Sequence, residues 1–463
     1  MKNILSFTKS YLNPQRHADS FMISIAVLML VLFALGCGGA DRSLQQPEEL
    51  IRSGMPLEAA NHLEKLIAAN ERNPKAHALL GQAYEALGRY DEAIAQLKTA
   101  INLYTAQPED RAMVRLELAK IYLKLGERKE GFNELRSIAR STSDATVLRE
   151  IAGWAGDAYQ VVQLTQGDSD NYSPAFSPDG SLIAFSSYRL DNGEIYLVDL
   201  NGRIRQRVTF TTDFNESAPV FLSNPLYLLY SSEPKSSREV KVTLQSSGST
   251  PIYAGFNVTH IYSKVTQELL PVGFGVRSPS ASPERKRVVY ESNNEGQLEV
   301  YMLDLSAIDL ERIEASAIQP KRITQSQSDD GSPTFFPDGK RIVFVSSRDG
   351  IHQVYTIHLD GKNEKHLNPN RYDCYSPVVS PDGKTIAFVS ARDGDIEIYM
   401  MDADGSHERR ITNEIGVSMQ PAFSPDGTKL AFVSDRSNTF QLYLMDLTHP
   451  VTQKELIQRL HAE

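Results

Sequence analysis

A seven-residue phrase recurs through the second two-thirds of the chain, and it limits the fold more than any other feature. It reads Pro174-Ala175-Phe176-Ser177-Pro178-Asp179-Gly180, then Pro333-Thr334-Phe335-Phe336-Pro337-Asp338-Gly339. It returns as Pro377 to Gly383 and as Pro421 to Gly427. Two copies are worn: Pro219 with Asn224-Pro225, and Pro279 with Pro283-Glu284. Each phrase encodes a tight hairpin. Proline presets φ at the first turn position, aspartate accepts a backbone N–H, and glycine takes the left-handed conformation. An apolar strand follows, such as Ile386-Ala387-Phe388-Val389, and then an alternating one, such as Ile398-Tyr399-Met400-Met401-Asp402. A last strand ends near Thr209, Thr324 or Thr412. Four antiparallel strands per roughly 44 residues make one propeller blade, and six leading prolines make six blades. The last blade supplies three strands by Asp446. Val161-Val162-Gln163-Leu164-Thr165 is therefore predicted to return as its outer strand and leave no orphan edge.

The 463 residues are 41% hydrophobic and 23% charged, the texture of a folded chain. The formal charge is -10, and the acidic surplus lies entirely within residues 161–463. Nothing favours a nucleic-acid partner, which usually meets a basic face. The acidic surplus would steer a cationic partner or a cation. Only Cys37 and Cys374 are present, too few for a disulfide framework or a multi-cysteine zinc site.

Upstream the period changes. Gly54, Gly88 and Gly126 each close a helix-like segment. Their spacing resembles the tetratricopeptide repeat, best seen in Leu80-Gly81, Tyr84, Gly88, Tyr90, Ala93, Leu97 and Ala100. About three such repeats are expected over 46–143. A capping or linking helix is expected over 144–160, with Leu148, Ile151 and Trp154 on one face. The groove of three repeats could hold an extended peptide, and a spacer role fits equally well.

At the N-terminus Lys2, Lys9 and Arg16 precede an apolar run from Phe21 to Leu35, too short for a comfortable span and suited to a signal sequence. Phe33-Ala34-Leu35-Gly36-Cys37 resembles a bacterial lipobox. That resemblance implies a signal peptide over 1–36, lipidation of Cys37, and a linker over 37–45. With Gly38 rather than aspartate next, it implies the outer membrane. A plain signal peptide or a short membrane anchor, with Cys37 incidental, is the alternative.

The propeller phrases resemble the repeat of the TolB family, periplasmic members of the Tol–Pal envelope system. The same repeat type occurs in non-catalytic propellers of some serine peptidases. The resemblance covers 161–447 and leaves 448–463 as a C-terminal tail. TolB carries a mixed α/β domain where this chain has tetratricopeptide repeats. The expected fold is thus multidomain: an all-α tetratricopeptide solenoid followed by an all-β six-bladed propeller.

Strand direction places the Pro-Asp-Gly turns on one face of the ring. The loops leading into the innermost strands lie on the other. This second face is expected to form a partner-binding mouth. Its inner ring would be Asp170, Glu216, Asp329, Asp330 and Asp373, and its outer ring Arg189, Arg348, Arg392 and Arg436. Because the arginines recur at blade period, they could instead be structural caps and loop ion pairs. Cys374 is expected to be an inert, partly buried thiol. Asp402-Ala403-Asp404-Gly405 lacks the later ligands of a calcium loop, and the propeller histidines share no repeat position, so no metal or cofactor is expected. Residues 245–275 break the repeat, as either a functional insertion or a degenerate strand of blade two.

The expected function is a non-enzymatic lipoprotein scaffold on the periplasmic face of the outer membrane. It would bind envelope proteins or peptides through propeller and helical groove, in envelope integrity, secretion or transport. The alternative is a propeller enzyme, or a carbohydrate or small-ligand binder, acting on periplasmic polymer.

Overall fold

The computed structural model describes residues 42–235, 254–368, 372–414 and 416–462. Cys37 and the apolar run before it lie outside these residues, as does the first part of the 245–275 stretch. A short 3-10 turn (Arg42–Leu44) leads into seven helices: α1 (Gln45–Arg52), α2 (Pro56–Ala69), α3 (Pro74–Ala86), α4 (Tyr90–Leu103), α5 (Pro108–Lys124), α6 (Arg128–Ser141) and α7 (Ala145–Ala152). Proline opens α2, α3 and α5, where its missing N–H costs nothing. Asn73 caps α3 by accepting from Ala76 N at 3.1 Å. Gly54, Gly88 and Gly126 take positive φ at the helix ends, as the repeat requires. Among the described residues no helix is long and apolar enough to cross a membrane.

The chain divides into two compact units, Met1–Gln96 and Leu97–Glu463. In the first, Ala59, Ala60, Leu63, Ala76, Leu80 and Ala83 are buried between α2 and α3, and Tyr84 Oη donates to Glu64 Oε1 at 2.8 Å.

The second unit contains six four-stranded antiparallel sheets in the order inner to outer. After a first strand, β1 (Tyr159–Gln163), blade one is β2 (Asn171–Phe176), β3 (Leu182–Ser187), β4 (Glu194–Asp199) and β5 (Ile204–Arg207). Blade two is β6 (Phe214–Phe221), β7 (Tyr227–Pro234), β8 (Gly255–His260) and β9 (Thr266–Leu270). The second part of the 245–275 stretch is therefore regular: it supplies the two outer strands of this blade. Blade three is β10 (Val276–Ala281), β11 (Arg287–Ser292), β12 (Glu299–Asp304) and β13 (Lys321–Arg322). Blade four is β14 (Asp330–Phe335), β15 (Arg341–Ser346), β16 (Gln353–His358) and β17 (Lys365–His366). Blade five is β18 (Cys374–Val379), β19 (Thr385–Ser390), β20 (Glu397–Asp402) and β21 (Arg409–Arg410). Blade six is β22 (Ser418–Phe423), β23 (Lys429–Ser434), β24 (Gln441–Pro450) and β1 (Tyr159–Gln163), which pairs Val161 with Met445. The ring closes through that N-terminal strand, which begins two residues earlier than the predicted segment.

The helices of this unit are welded to the propeller. One apolar core joins Leu116, Phe132, Leu135 and Ile151 to Ile398, Met400, Phe432 and Tyr443 of blades five and six. Gly153 sits so close to blade five that a Cβ there would lie 2.0 Å from the Arg410 carbonyl oxygen. Asp157 pairs with Arg436 at 2.6 Å. The tail folds as α8 (Gln453–Ala462) and lies on α6, where Gln453 Nε2 donates to the Ala139 and Thr142 carbonyls at 2.7 and 3.0 Å.

Candidate functional site

The four predicted arginines share one geometry, and it turns them into the blades. Each follows by two residues the serine that ends a second strand. Each donates from Nε to that serine: Arg189 to Ser187 (2.9 Å), Arg348 to Ser346 (2.7 Å), Arg392 to Ser390 (3.2 Å) and Arg436 to Ser434 (3.1 Å). Each guanidinium lies over a third-strand tyrosine (Tyr196, Tyr355, Tyr399 or Tyr443), 4.4–4.9 Å from the ring centroid. Arg348 also holds Asp330 (3.1 Å) and Glu364, Arg392 holds Glu408, and Arg436 holds Asp157. Burial lowers the pKa of Arg189, which forms no ion pair among the described residues.

The predicted acids split into two sets. Asp170, Asp329 and Asp373 are staples between blades. Each accepts the main-chain N–H of the residue before the preceding blade's third strand: Phe440 (3.1 Å), Leu298 (3.3 Å) and His352 (2.8 Å). Asn215 does the same for Gly193 at 3.0 Å. Asp330 opens the inner strand of blade four, Glu216 is the third residue of that of blade two, and both are completely buried. Asp330 meets Arg348, whereas neither carboxylate oxygen of Glu216 has a hydrogen-bond partner, and burial pushes its pKa up to about 8. Cys374 stands at the equivalent position of blade five, fully buried. Burial raises its thiol pKa, and Asn368 Nδ2 donates to it at 3.1 Å.

A further repeated cluster was not singled out from the sequence. Glu194, Glu299 and Glu397 begin third strands with no exposed surface, each held by an arginine and a threonine of the fourth strand or just beyond. Glu397, for example, meets Arg410 (3.0 Å) and Thr412 (2.5 Å), and Thr412 Oγ1 in turn accepts from Ile398 N at 2.9 Å. Blade four makes the same joint from neutral groups, with His366 at 2.6 Å from Gln353 and Asn368 accepting from Val354 N at 3.0 Å. The Arg-Ile-Thr strand ends were the visible signal of this joint.

The cavity of the ring lies elsewhere. It encloses about 520 Å³, within the range of ligand pockets, and none of the predicted residues lines it. It runs along the inner strands from a ring of β-bulges to the Pro-Asp-Gly turns, at the opposite end from the predicted mouth. In every blade the residue before the leading proline has positive φ: Ser173, Ala218, Ser278, Ser332, Ser376 and Gln420. The register of the inner strand shifts across it. Serine, proline and small apolar side chains make up most of the wall, with Arg285 its one ionisable side chain. Pro283, Pro337, Pro381 and Pro425 stand exposed at the rim. Among the described residues no group of three or more His, Cys, Asp or Glu is placed to hold a metal.

With this geometry in view, the chain was compared with known proteins. The family described as TolB beta propeller domain matches residues 255–371 and 359–458. The propeller is of the TolB type. The Tetratricopeptide repeat family matches residues 50–109, upstream of the TolB-type ring. The Tol-Pal system protein TolB of Desulfosudis oleivorans is 34% identical over 98 residues, covering 21% of this chain and 22% of the relative. The chain thus spans about a fifth of the length of that curated relative. Among solved structures, a putative TolB from Agrobacterium tumefaciens is 18% identical with a TM-score of 0.47, covering 63% of this chain and 98% of that one. An oligogalacturonate lyase in complex with manganese is 14% identical with a TM-score of 0.44, covering 63% and 94%.

Proposed function

We propose that the protein is a non-enzymatic scaffold of a bacterial envelope, anchored by lipid at Cys37 to the periplasmic face of the outer membrane. It binds envelope proteins or peptides, and its docking surfaces are the TolB-type propeller and the helical groove. The pairing of tetratricopeptide repeats with a TolB-type propeller carries this reading, since both repeat types commonly present surfaces to other proteins. The cavity supports it: a wall of serine, proline and small apolar side chains offers shape and hydrogen bonds to an inserted segment.

The test is site-specific photocrosslinking in cells. A photoreactive residue replaces Val378 or Ala422 on the cavity wall, or Asp191 at the other end of the ring as control. One or two envelope proteins should crosslink from the wall positions and not from Asp191. No adduct from the wall, together with turnover of a wall or storage polymer by the full-length protein, would overturn the scaffold in favour of an enzyme. Cys37→Ser should release the protein from the membrane fraction. Retention of C37S there would remove the lipid anchor from the proposal.

A further inference from the structure

The turns around the cavity rim depart from their pattern at two neighbouring places, and the departures fit each other. In blades one, four, five and six the turn closes on a glycine with positive φ: Gly180, Gly339, Gly383 and Gly427. A Cβ at Gly180, Gly383 or Gly427 would lie 3.4–3.5 Å from the turn proline of the preceding blade (Pro425, Pro337 or Pro381). Blade three has Arg285 at this position. It makes the same turn bond, N to Ser282 O at 2.7 Å, and takes the same left-handed conformation with φ 55°. A long side chain carries backbone strain there that glycine avoids. The preceding blade has Ser223 where the others have proline. The Arg285 side chain reaches across this gap, and Nη1 donates to the Phe221 carbonyl of blade two at 3.1 Å.

That bond uses one of the five N–H groups of the guanidinium. Among the described residues Arg285 forms no ion pair, because its neighbour Glu284 is turned to Arg287 at 2.6 Å. The wall is otherwise uncharged: Arg285 is its one ionisable side chain. Burial lowers its pKa with no carboxylate acting against the shift. A partly desolvated guanidinium with spare donors at the mouth of a cavity matches a planar anion, which it can grip bidentately. One cation balances one negative charge, which favours carboxylate over a doubly charged phosphate. The acidic surplus of residues 161–463 also repels polyanions.

We propose that Arg285 anchors a carboxylate borne by a peptide segment that a partner protein inserts into the propeller cavity. This rests on the scaffold reading and adds to it the chemistry of the partner.

The test is titration calorimetry on the full-length protein with three capped tetrapeptides of alanine and proline. The first has a free C-terminal carboxylate, the second is its amide, and the third is the amide with one internal aspartate. Inorganic phosphate is the fourth probe. A carboxylate peptide should bind at least tenfold more tightly than the plain amide, and Arg285→Gly should abolish the difference. R285G restores the glycine of the other turns, so it should fold with a melting temperature equal to or above that of the parent. Arg341→Gln, which removes a cation of the next blade that is held by Asp338 and lies off the wall, should bind like the parent. The first and third peptides tell a chain end from an acidic side chain. Equal binding of acid and amide, unchanged binding by R285G, or tighter binding of phosphate would each overturn the anchor. If wall crosslinks persist in R285G while no carboxylate peptide binds the parent, the anchor falls and the scaffold stands. If no wall crosslink forms but Arg285-dependent carboxylate binding remains, the scaffold falls and the anchor stands as a small-ligand site.

Discussion

Blades two and four place an acid at the same point and treat it differently. Asp330 opens the inner strand of blade four opposite Ser346, and Glu216 lies opposite Ser232 in blade two. Both are completely buried. In blade four Arg348, two residues beyond the serine, approaches the two carboxylate oxygens at 3.1 and 3.2 Å. Blade two has Pro234 at that place, and the two carboxylate oxygens of Glu216 have no hydrogen-bond partner. Burial raises both pKa values, but only Asp330 has a cation pulling it back. The repeat therefore fixes how deeply the acid is buried, and a single neighbouring residue fixes whether a cation faces it.

The largest effect is expected from Arg348→Ala, which makes blade four resemble blade two. Leaving a buried carboxylate unpaired should cost about 3–5 kcal/mol in urea unfolding at neutral pH. A loss no greater than that from R189Q would show that the two blades do not differ in the way described. Glu216→Gln probes the other side. Glu216 has a folded pKa of about 8 against an ordinary 4.5, so the folded state holds the proton more tightly. Its contribution is complete below the lower value and is lost as pH rises through the upper one. E216Q should thus match the parent near pH 4 and exceed it at pH 9 by a few kcal/mol, the full shift being worth at most about 5 kcal/mol. Equal pH profiles for the two proteins would show that Glu216 is ionised in both states. Pro234→Arg supplies the missing cation and should flatten the same profile, with a gain of about 1 kcal/mol after the side-chain entropy of arginine is met. Arg189→Gln, at an arginine with no acid to answer, should cost about 1 kcal/mol or less through loss of the Ser187 bond and the Tyr196 stack.

The propeller was legible because its signal is local. Each Pro-Asp-Gly turn declares itself within seven residues, and the closing strand followed from counting. Blade two was harder to read: its third and fourth strands join through His260 to Thr266 without an Asp-Gly turn, and Lys264 takes the positive φ there. The face on which function was sought rested on polar composition. In the fold those polar groups are already engaged: Asp170, Asp329 and Asp373 by main-chain N–H groups across blade boundaries, and the arginines by the serines and tyrosines of their own blades. Residues at one repeat position look alike in sequence whether they face solvent or a neighbour, so the staples resembled a mouth. The cavity was hidden for the opposite reason, since its wall is made of serine, proline and alanine. The seam between α5–α7 and blades five and six joins helical to extended periodicity, and Gly153 marks it only once the Arg410 carbonyl is seen above it.

The pairing of Val161 with Met445 also sets an order of assembly. The strand that locks the ring is synthesised first, and its partner comes about 280 residues later. At roughly 5–20 residues per second that is a delay of about 15–55 s, during which β1 is an uncovered edge with no sheet to join. Every other blade can form from contiguous chain, whereas in blade six the oldest strand must wait for the three youngest. Premature docking of β1 on a finished blade would leave the ring open and short of one strand. Ring closure thus needs both ends of the propeller sequence, residues 159–163 and 441–450, in register at once.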